Sequence, residues 1–272
     1  MADPLTLSLD AMGGDHAPDM VVEGVAFACK RFPNVRFLLF GDEAQLKPLV
    51  DKYGVGSVST IIHTPDRIAS TDKPSQALRG GRNSSMRLAI NAVRDGEAAG
   101  VVSAGNTGAL MAMAKFVLKT LPGIDRPAIA SFLPTERGET LVLDLGANVE
   151  CSANNLVQFA VMGNAFTRIV SGIERPTVGL LNVGEEELKG NDEVRDAAAI
   201  LKNGSLPVNF YGFVEGTDVL KGTVDVVVTD GFTGNVTLKT IQGTAKLISQ
   251  FLKQSFASSF SAKIGYLFAR PA

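Results

Sequence analysis

Nine short apolar runs, separated by longer amphipathic stretches, restrict the fold of this chain more than any other feature. The runs are 5–9, 35–40, 60–62, 101–103, 128–133, 140–143, 178–181, 208–211 and 225–229. Several are apolar at nearly every position, and strands of that kind are buried on both faces of a sheet. Their alternation with helices predicts a three-layer α/β/α sandwich with a mostly parallel sheet.

Helical spacing of apolar residues fills the intervals between these runs. The clearest helical patterns are 20–31, 84–94, 109–120, 156–170 and 194–202. Neither half of the chain repeats the other, and no Pro/Ser-rich linker separates them. We therefore expect one domain over 1–272, long enough to bury a sizeable core.

Composition excludes several classes of protein. The 26 Lys and Arg residues nearly cancel the 28 Asp and Glu, and a net charge of −2 disfavours a nucleic-acid partner held by bulk electrostatics. Cys29 and Cys151 cannot form a disulfide framework and suit a reducing compartment. The N-terminus lacks the basic and apolar regions expected of a signal peptide, and the 17-residue charge-free stretch 151–167 carries five Ser, Asn or Gln residues. A cytoplasmic protein is expected.

Five small, polar loops rich in Gly or Asn follow five of the predicted strands. They are 10–16, 103–108, 144–148, 182–192 and 230–235. In a parallel sheet such loops share the carboxyl edge, where ligands bind. Glycine lets backbone amides approach a ligand, and helix N-termini supply unpaired donors. The pattern predicts an anion site, most simply for phosphate.

The usual nucleotide and metal motifs are missing. No G-x-G-x-x-G follows a strand, and neither a P-loop, H-E-x-x-H nor G-x-S-x-G occurs. Only His16 and His63 are available beside the two distant cysteines, which disfavours a structural zinc. We therefore expect no cofactor and no metal.

Several candidate residues have two interpretations. Asp10, Asp144 and Asp230 end strands, where an aspartate either serves a site or caps a helix or turn. Lys189 lies in a charged loop and is either solvated or placed to neutralise phosphate or an oxyanion. His16 is either a phosphate donor or a turn residue.

Three further features are weighed in the same way. We interpret His63 as structural and Cys151 as a packed residue, because no sequence neighbour would activate the thiol. Arg79, Arg82 and Arg87 form a basic run that is either a solvated face or a docking site for an acidic partner.

The C-terminal segment has a distinct charge pattern. Residues 231–272 contain no Asp or Glu, and apolar residues recur from Leu238 to Phe256 at helical spacing. This segment either packs on the sheet or a partner subunit, or rests on an anionic membrane surface. The two are compatible, and the membrane contacts would be Ile264, Tyr266, Leu267 and Phe268.

The loops carry a specific resemblance. The chain resembles the bacterial phosphate acyltransferase (PlsX) family in segments that run in family order over essentially its whole length. These are LDAMGGD (9–15), KPSQA (73–77), SSMR (84–87), VSAGNTGAL (102–110), LPGIDRP (121–127), LDLGANV (143–149), VQFAVMG (157–163), GEE (184–186) with KGN (189–191), and DGFTGNV (230–236).

The resemblance implies transfer of a long-chain acyl group from acyl-[acyl carrier protein] to inorganic phosphate. The acyl phosphate would feed phospholipid synthesis through a downstream glycerol-3-phosphate acyltransferase. It further implies a fold like isocitrate and isopropylmalate dehydrogenases, a homodimer, and a projecting helical element over 235–272 that associates peripherally with membranes. Family members continue for several tens of residues beyond the position of Ala272, so a partial chain is expected.

The resemblance also suggests roles at the loops. Lys189 and Asp230 would be catalytic, with Asp230 orienting Lys189 or accepting a phosphate proton. Ser103, Gly105, Asn106 and Thr107 would position phosphate, with Asn148 nearby. The remaining expected substrate-binding residues are Asp10, Gly13, Gly14, His16, Asp144, Asn191 and Asn235.

Two other functions remain open at this point. One is a different enzyme on the same fold, either a short-chain phosphate acyltransferase that uses coenzyme A or a decarboxylating dehydrogenase. The other is a non-enzymatic membrane scaffold for lipid synthesis. The identity of the acyl donor distinguishes a coenzyme A enzyme from one that uses a carrier protein. Measurable turnover distinguishes an enzyme from a scaffold.

Overall fold

The computed structural model describes residues 4–269, with side chains up to Tyr266. The chain divides after Pro127 into two compact units, each with its own sheet. A single sheet was expected, and the structure differs because hydrophobic periodicity marks which residues are buried but not which strands pair. The five polar loops are therefore distributed over two sheet edges.

Unit 1 is a four-stranded parallel sheet with helices on its faces. Its strands, in the order β3-β2-β1-β4, are β1 (Thr6–Asp10), β2 (Arg36–Gly41), β3 (Ser59–His63) and β4 (Gly100–Val102). Its helices are α1 (Asp19–Arg31), α2 (Glu43–Tyr53), α3 (Pro74–Gly80), α4 (Ser85–Arg94) and α5 (Thr107–Leu118). The strands pair in register, with Leu9 opposite Leu39.

Unit 2 is a five-stranded sheet in the order β5-β6-β9-β7-β8. Its strands are β5 (Ala130–Thr135), β6 (Gly138–Leu143), β7 (Thr177–Leu181), β8 (Asn209–Val214) and β9 (Val226–Val228). All pairs are parallel except the β5–β6 hairpin. Its helices are α6 (Ala153–Val170), α7 (Asp192–Lys202), α8 (Gly216–Lys221), α9 (Gly231–Ala257) and α10 (Phe260–Ala269).

Hydrophobic burial explains why the predicted runs became strands. Each of the nine runs overlaps one observed strand, and the α/β class with mostly parallel strands is confirmed. The all-apolar β9 is buried at all three positions. Helices α2, α3 and α8 were not among the clearest patterns, because α3 and α8 are too short for a period to emerge and α2 contains Pro48.

The long helix α9 changes its surroundings along its length. Leu238 and Ile241 pack against a buried cluster of unit 2 that includes Val142 and Val219. From residue 242 to 255 every side chain is exposed. Helix α10 packs back on α9, where the rings of Phe256 and Tyr266 lie 5.3 Å apart. None of the helices in the described part of the chain is both long and apolar enough to cross a bilayer.

Candidate active site

Asp10 organises the carboxyl edge of the unit 1 sheet. Its carboxylate is 2% exposed and accepts hydrogen bonds from Ser85 Oγ at 2.6 Å and Ser103 Oγ at 2.7 Å. Ser103 Oγ in turn accepts from the Gly105 amide at 3.1 Å. Asp10 therefore acts through Ser103 to hold the 103–108 loop. No role for Ser85 was predicted from the sequence, although this residue lies in segment 84–87, one of those that resemble the phosphate acyltransferase family.

Gly13 brings a second loop against the first. A Cβ at Gly13 would collide with the Asp10 carboxylate and lie 3.0 Å from the Gly105 nitrogen, so only glycine fits. Gly14 continues this loop in a positive-φ conformation, at 111°. His16 is exposed, and its carbonyl accepts from the Met20 amide at 3.2 Å. Unit 1 thus brings Asp10, Gly13 and Gly14 against loop 103–108, whereas His16 forms no hydrogen bond with that loop among the described residues.

The N-terminus of α5 presents free donors at this edge. Asn106 caps the helix, because its Oδ1 accepts from the Ala109 amide at 3.0 Å, while its Nδ2 donates to the Asp72 carbonyl at 2.8 Å. The amides of Thr107 and Gly108 meet no acceptor among residues 4–269, and both residues are exposed. Unpaired amides at a helix N-terminus bind anions such as phosphate.

Asp144 holds the corresponding loop of unit 2. It is fully buried at the end of β6, and both carboxylate oxygens face inward. They accept at 2.7 to 3.1 Å from the amides of Ile129, Gly146, Ala147 and Asn148 and from Asn148 Nδ2. So complete a set of donors assigns Asp144 to shaping the loop.

Asp230 joins the start of α9 to that loop. Its carboxylate caps the helix, accepting from the Thr233 amide at 2.8 Å and from Thr233 Oγ1 at 2.7 Å. The next amide, of Gly231, donates to the Asn148 carbonyl at 2.7 Å. Asn235 Nδ2 donates to the Leu145 carbonyl at 3.2 Å. The first turn of α9 therefore lies directly on loop 144–148.

Lys189 lies in an anchored but exposed loop after β7. Its carbonyl accepts from Asn182 Nδ2 at 3.0 Å, and Asn191 caps α7 by accepting from the Val194 amide at 2.9 Å. Lys189 Nζ lies 3.4 Å from Glu186 Oε1, and both side chains are more than half exposed. A backbone hydrogen bond, followed by contact with Lys189, lowers the pKa of Glu186.

The expected contact between Lys189 and Asp230 is not formed. Within residues 4–269 the ammonium pairs with Glu186 alone, while the Asp230 carboxylate is occupied by Thr233. An exposed ion pair contributes little free energy, so the Lys189 ammonium can readily leave Glu186 and pair with another anion. Asp230 is thereby a helix cap, and Lys189 is the accessible cation of this loop.

The two residues interpreted as structural behave as such. His63 Nδ1 accepts from the Glu43 amide at 3.1 Å, and Cys151 packs against the core cluster of unit 2. Among the described residues no three His, Cys, Asp or Glu side chains gather as a metal site. Nor does any Ser or Cys there hydrogen bond to a histidine. The described geometry supplies anion donors and a cation rather than an activated nucleophile.

Comparison with known proteins agrees with this chemistry. The family model described as "Fatty acid synthesis protein" matches residues 5–272. The chain is 65% identical to the phosphate acyltransferase of Rhodospirillum centenum and 64% identical to that of Rhodospirillum rubrum, over 100% of the chain and 77% and 78% of those proteins.

Solved structures show a related fold at low identity. The EutD phosphotransacetylase from Staphylococcus aureus matches with a TM-score of 0.64 and 18% identity, over 89% of this chain and 82% of that one. A branched-chain phosphotransacylase from Enterococcus faecalis matches with a TM-score of 0.57 and 16% identity, over 88% and 84%. The chain belongs to the bacterial phosphate acyltransferase family of fatty acid synthesis proteins and is an acyltransferase of lipid synthesis.

Proposed function

We propose that this acyltransferase takes its long-chain acyl group from acyl-[acyl carrier protein] and passes it to inorganic phosphate. The observation that supports phosphate as the acceptor is that the amides of Thr107 and Gly108 meet no acceptor among residues 4–269. They lie next to the loop that Ser103 holds. The carrier-protein half follows from the family resemblance. The product, an acyl phosphate, would be consumed by an acyltransferase that acylates glycerol 3-phosphate.

The chemical step needs no nucleophile from the protein. A phosphate oxygen attacks the thioester carbonyl carbon, forming the new C–O bond and a tetrahedral oxyanion. The C–S bond then breaks, and the carrier thiolate leaves and takes up a proton. What the protein supplies is orientation of the reactants and donors for the developing negative charge.

The contacts within each unit support the proposed residue roles. The amides at the start of α5 support phosphate positioning by Ser103, Gly105, Asn106 and Thr107. The family resemblance supports a role for Lys189 in stabilising developing negative charge. Asp10, Asp144 and Asp230 are positioning residues, because their carboxylates accept hydrogen bonds from loop and helix donors. We therefore assign Asp230 to holding the start of α9 rather than to proton transfer. Gly13, Gly14, His16, Asn148, Asn191 and Asn235 complete the candidate loops.

The reaction is tested by phosphate-dependent thiol release from long-chain acyl-[acyl carrier protein], followed with a thiol reagent. We expect release that rises with phosphate concentration and saturates. Release of equal rate without phosphate would contradict phosphate as the acceptor. A marked preference for a short-chain acyl coenzyme A would instead support the phosphotransacetylase type of donor, and vesicle binding without turnover would support a scaffold.

The exposed half of α9 supports peripheral membrane association of a cytoplasmic enzyme. Leu247, Ile248, Phe251 and Leu252 are each about half exposed, on a helix whose charges are all positive. A cleft of about 720 Å³ between α9 and α10 has apolar walls and includes Lys253 and Lys263. Apolar surface combined with cations is what anionic lipid surfaces attract. The same uncovered face is available to a second subunit of a homodimer.

The membrane contact is tested at the tip of α10. Tyr266 is 47% exposed and Ile264 41%, while the side chains of Leu267 and Phe268 lie outside the described residues. Replacing Tyr266, Leu267 and Phe268 by Ser should release the protein from anionic vesicles and leave solution turnover unchanged. Cosedimentation measures this.

The control replaces three exposed apolar residues elsewhere by Ser, namely Phe27, Ile169 and Val170. This variant should cosediment like the parent protein. Equal vesicle binding by all three proteins would leave only the packing interpretation of the tail.

A further inference from the structure

One region of unit 1 is strongly cationic although the whole chain is nearly neutral. From Lys73 to Arg94 the sequence carries five cations and no acidic residue, and from 98 to 124 it carries Lys115 and Lys119 without an acidic residue. Of these seven cations, only Arg94 forms a salt bridge among the described residues, with Asp95. Within residues 4–269 the other six form no ion pair with a carboxylate.

These cations lie on, or directly beside, three helices that pack together. Helices α3, α4 and α5 share a buried core of Ala77, Met86, Ile90, Ala109 and Met113. Arg79 on α3, Lys115 on α5 and Arg82 in the turn between α3 and α4 are all exposed. We call the surface formed by Arg79, Arg82, Arg87, Lys115 and Phe116 the cationic face.

An exposed aromatic ring lies within this face. Phe116 is 63% exposed, and the Arg87 guanidinium lies 5.5 Å from the centre of its ring. Burial, followed by the positive charges of Arg94 and Arg82, lowers the pKa of Arg87, so these cations are electrostatic neighbours. An exposed aromatic ring in contact with an arginine is a combination that protein interfaces are enriched in.

The cationic face is continuous with the candidate phosphate loop. Helix α5 begins in that loop, and Lys115 lies eight residues after Thr107, about 12 Å along the helix axis. Pro74, at the start of α3, lies against Gly108, where a Cβ would approach Pro74 Cγ to 2.8 Å. A protein docked on this face would hold a flexible pantetheine arm within reach of the loop.

We propose that the cationic face docks the acyl carrier protein, a small acidic helical protein, and so presents its thioester to the phosphate loop. This proposal rests on the proposed function. Charge complementarity selects the partner, because a second copy meeting the same face across a two-fold axis would oppose like charges. The surface thus explains how one enzyme distinguishes a carrier-linked donor from a free thioester.

The test compares two donors bearing the same acyl chain, acyl-[acyl carrier protein] and acyl-pantetheine. The double variant Arg82→Glu/Lys115→Glu should raise KM for the carrier-linked donor roughly tenfold or more, since reversed charges repel an acidic partner. Its kcat at saturation and its turnover of acyl-pantetheine should not change. The milder Arg82→Gln/Lys115→Gln variant should give a smaller rise with an unchanged melting temperature.

A matched control changes the same amount of charge on another part of unit 1. Lys30 and Lys47 are exposed on α1 and α2, and Lys30→Glu/Lys47→Glu should leave both donors unaffected. An unchanged carrier KM in the test variant, or equal loss with both donors, overturns the docking proposal. The docking proposal is also overturned if the charge-reversed variant still binds the carrier protein and instead loses its binding to anionic vesicles.

Direct binding of the carrier protein, measured by fluorescence anisotropy, separates the two proposals. If the parent protein fails to turn over the carrier-linked donor, the proposed function fails. If it still binds the carrier and the charge-reversed variant does not, the docking surface stands. Absence of binding in the parent protein would remove the docking surface as well.

Discussion

Lys189→Ala should lower kcat for acyl transfer about 100-fold or more while the melting temperature stays unchanged. Removing one donor that stabilises a developing oxyanion has effects of this size. The fold should survive because the side chain is 52% exposed and its ion pair with Glu186 is worth little. The measurement is steady-state thiol release at saturating phosphate and acyl donor.

Two further variants make this result specific. Lys189→Arg keeps the charge and should recover part of the activity. Lys202→Ala removes a comparably exposed lysine that pairs with Glu187 near the same loop, and its kcat should remain within a factor of two or so, in line with a surface change. A near-normal kcat for Lys189→Ala would remove Lys189 from the mechanism.

Asp144→Ala should lower the free energy of unfolding on the order of 3 kcal/mol or more. The change leaves the amides of Ile129, Gly146, Ala147 and Asn148 without their acceptor in part-buried hydrogen bonds, and the loss costs up to about 1–3 kcal/mol for each amide that stays shielded from water. Activity should fall too, because loop 144–148 carries Asn148 and supports the start of α9. Urea unfolding followed by circular dichroism measures the loss.

The comparison variant is Asp196→Ala, an exposed aspartate on α7 in the same unit. It should change the unfolding free energy by no more than about 0.5 kcal/mol. Asp144→Asn should be intermediate, since its amide nitrogen donates where the carboxylate oxygen accepted. If Asp144→Ala unfolds at the same urea concentration as the parent protein, its five hydrogen bonds do not hold the loop.

Local patterns in the sequence determined the strands and most of the longer helices of this fold. Apolar runs such as 178–181 became strands because burial on both faces is available only to a sheet covered by helices. The positions of the polar loops could also be predicted, because a parallel strand must end in a loop before its crossover helix begins. Asn106, Asn191 and Asp230 became helix caps, one of the local roles open to such residues.

Only the tertiary structure decided what the site residues do. Asp10 meets Ser85 and Ser103, which are 75 and 93 positions away, and no local pattern encodes such a contact. Likewise we expected Asp230 to orient Lys189, whereas the structure pairs Lys189 with Glu186.

The division into two sheets was also invisible in the sequence. Hydrophobic periodicity reports which residues are buried, but it carries no information about which strands pair. The sequence by itself therefore determined the strands, most of the longer helices, their order and the small, polar character of the loops. The tertiary structure decided the strand partners and the direction of each carboxylate, because pairing and side-chain hydrogen bonds join residues that are distant along the chain.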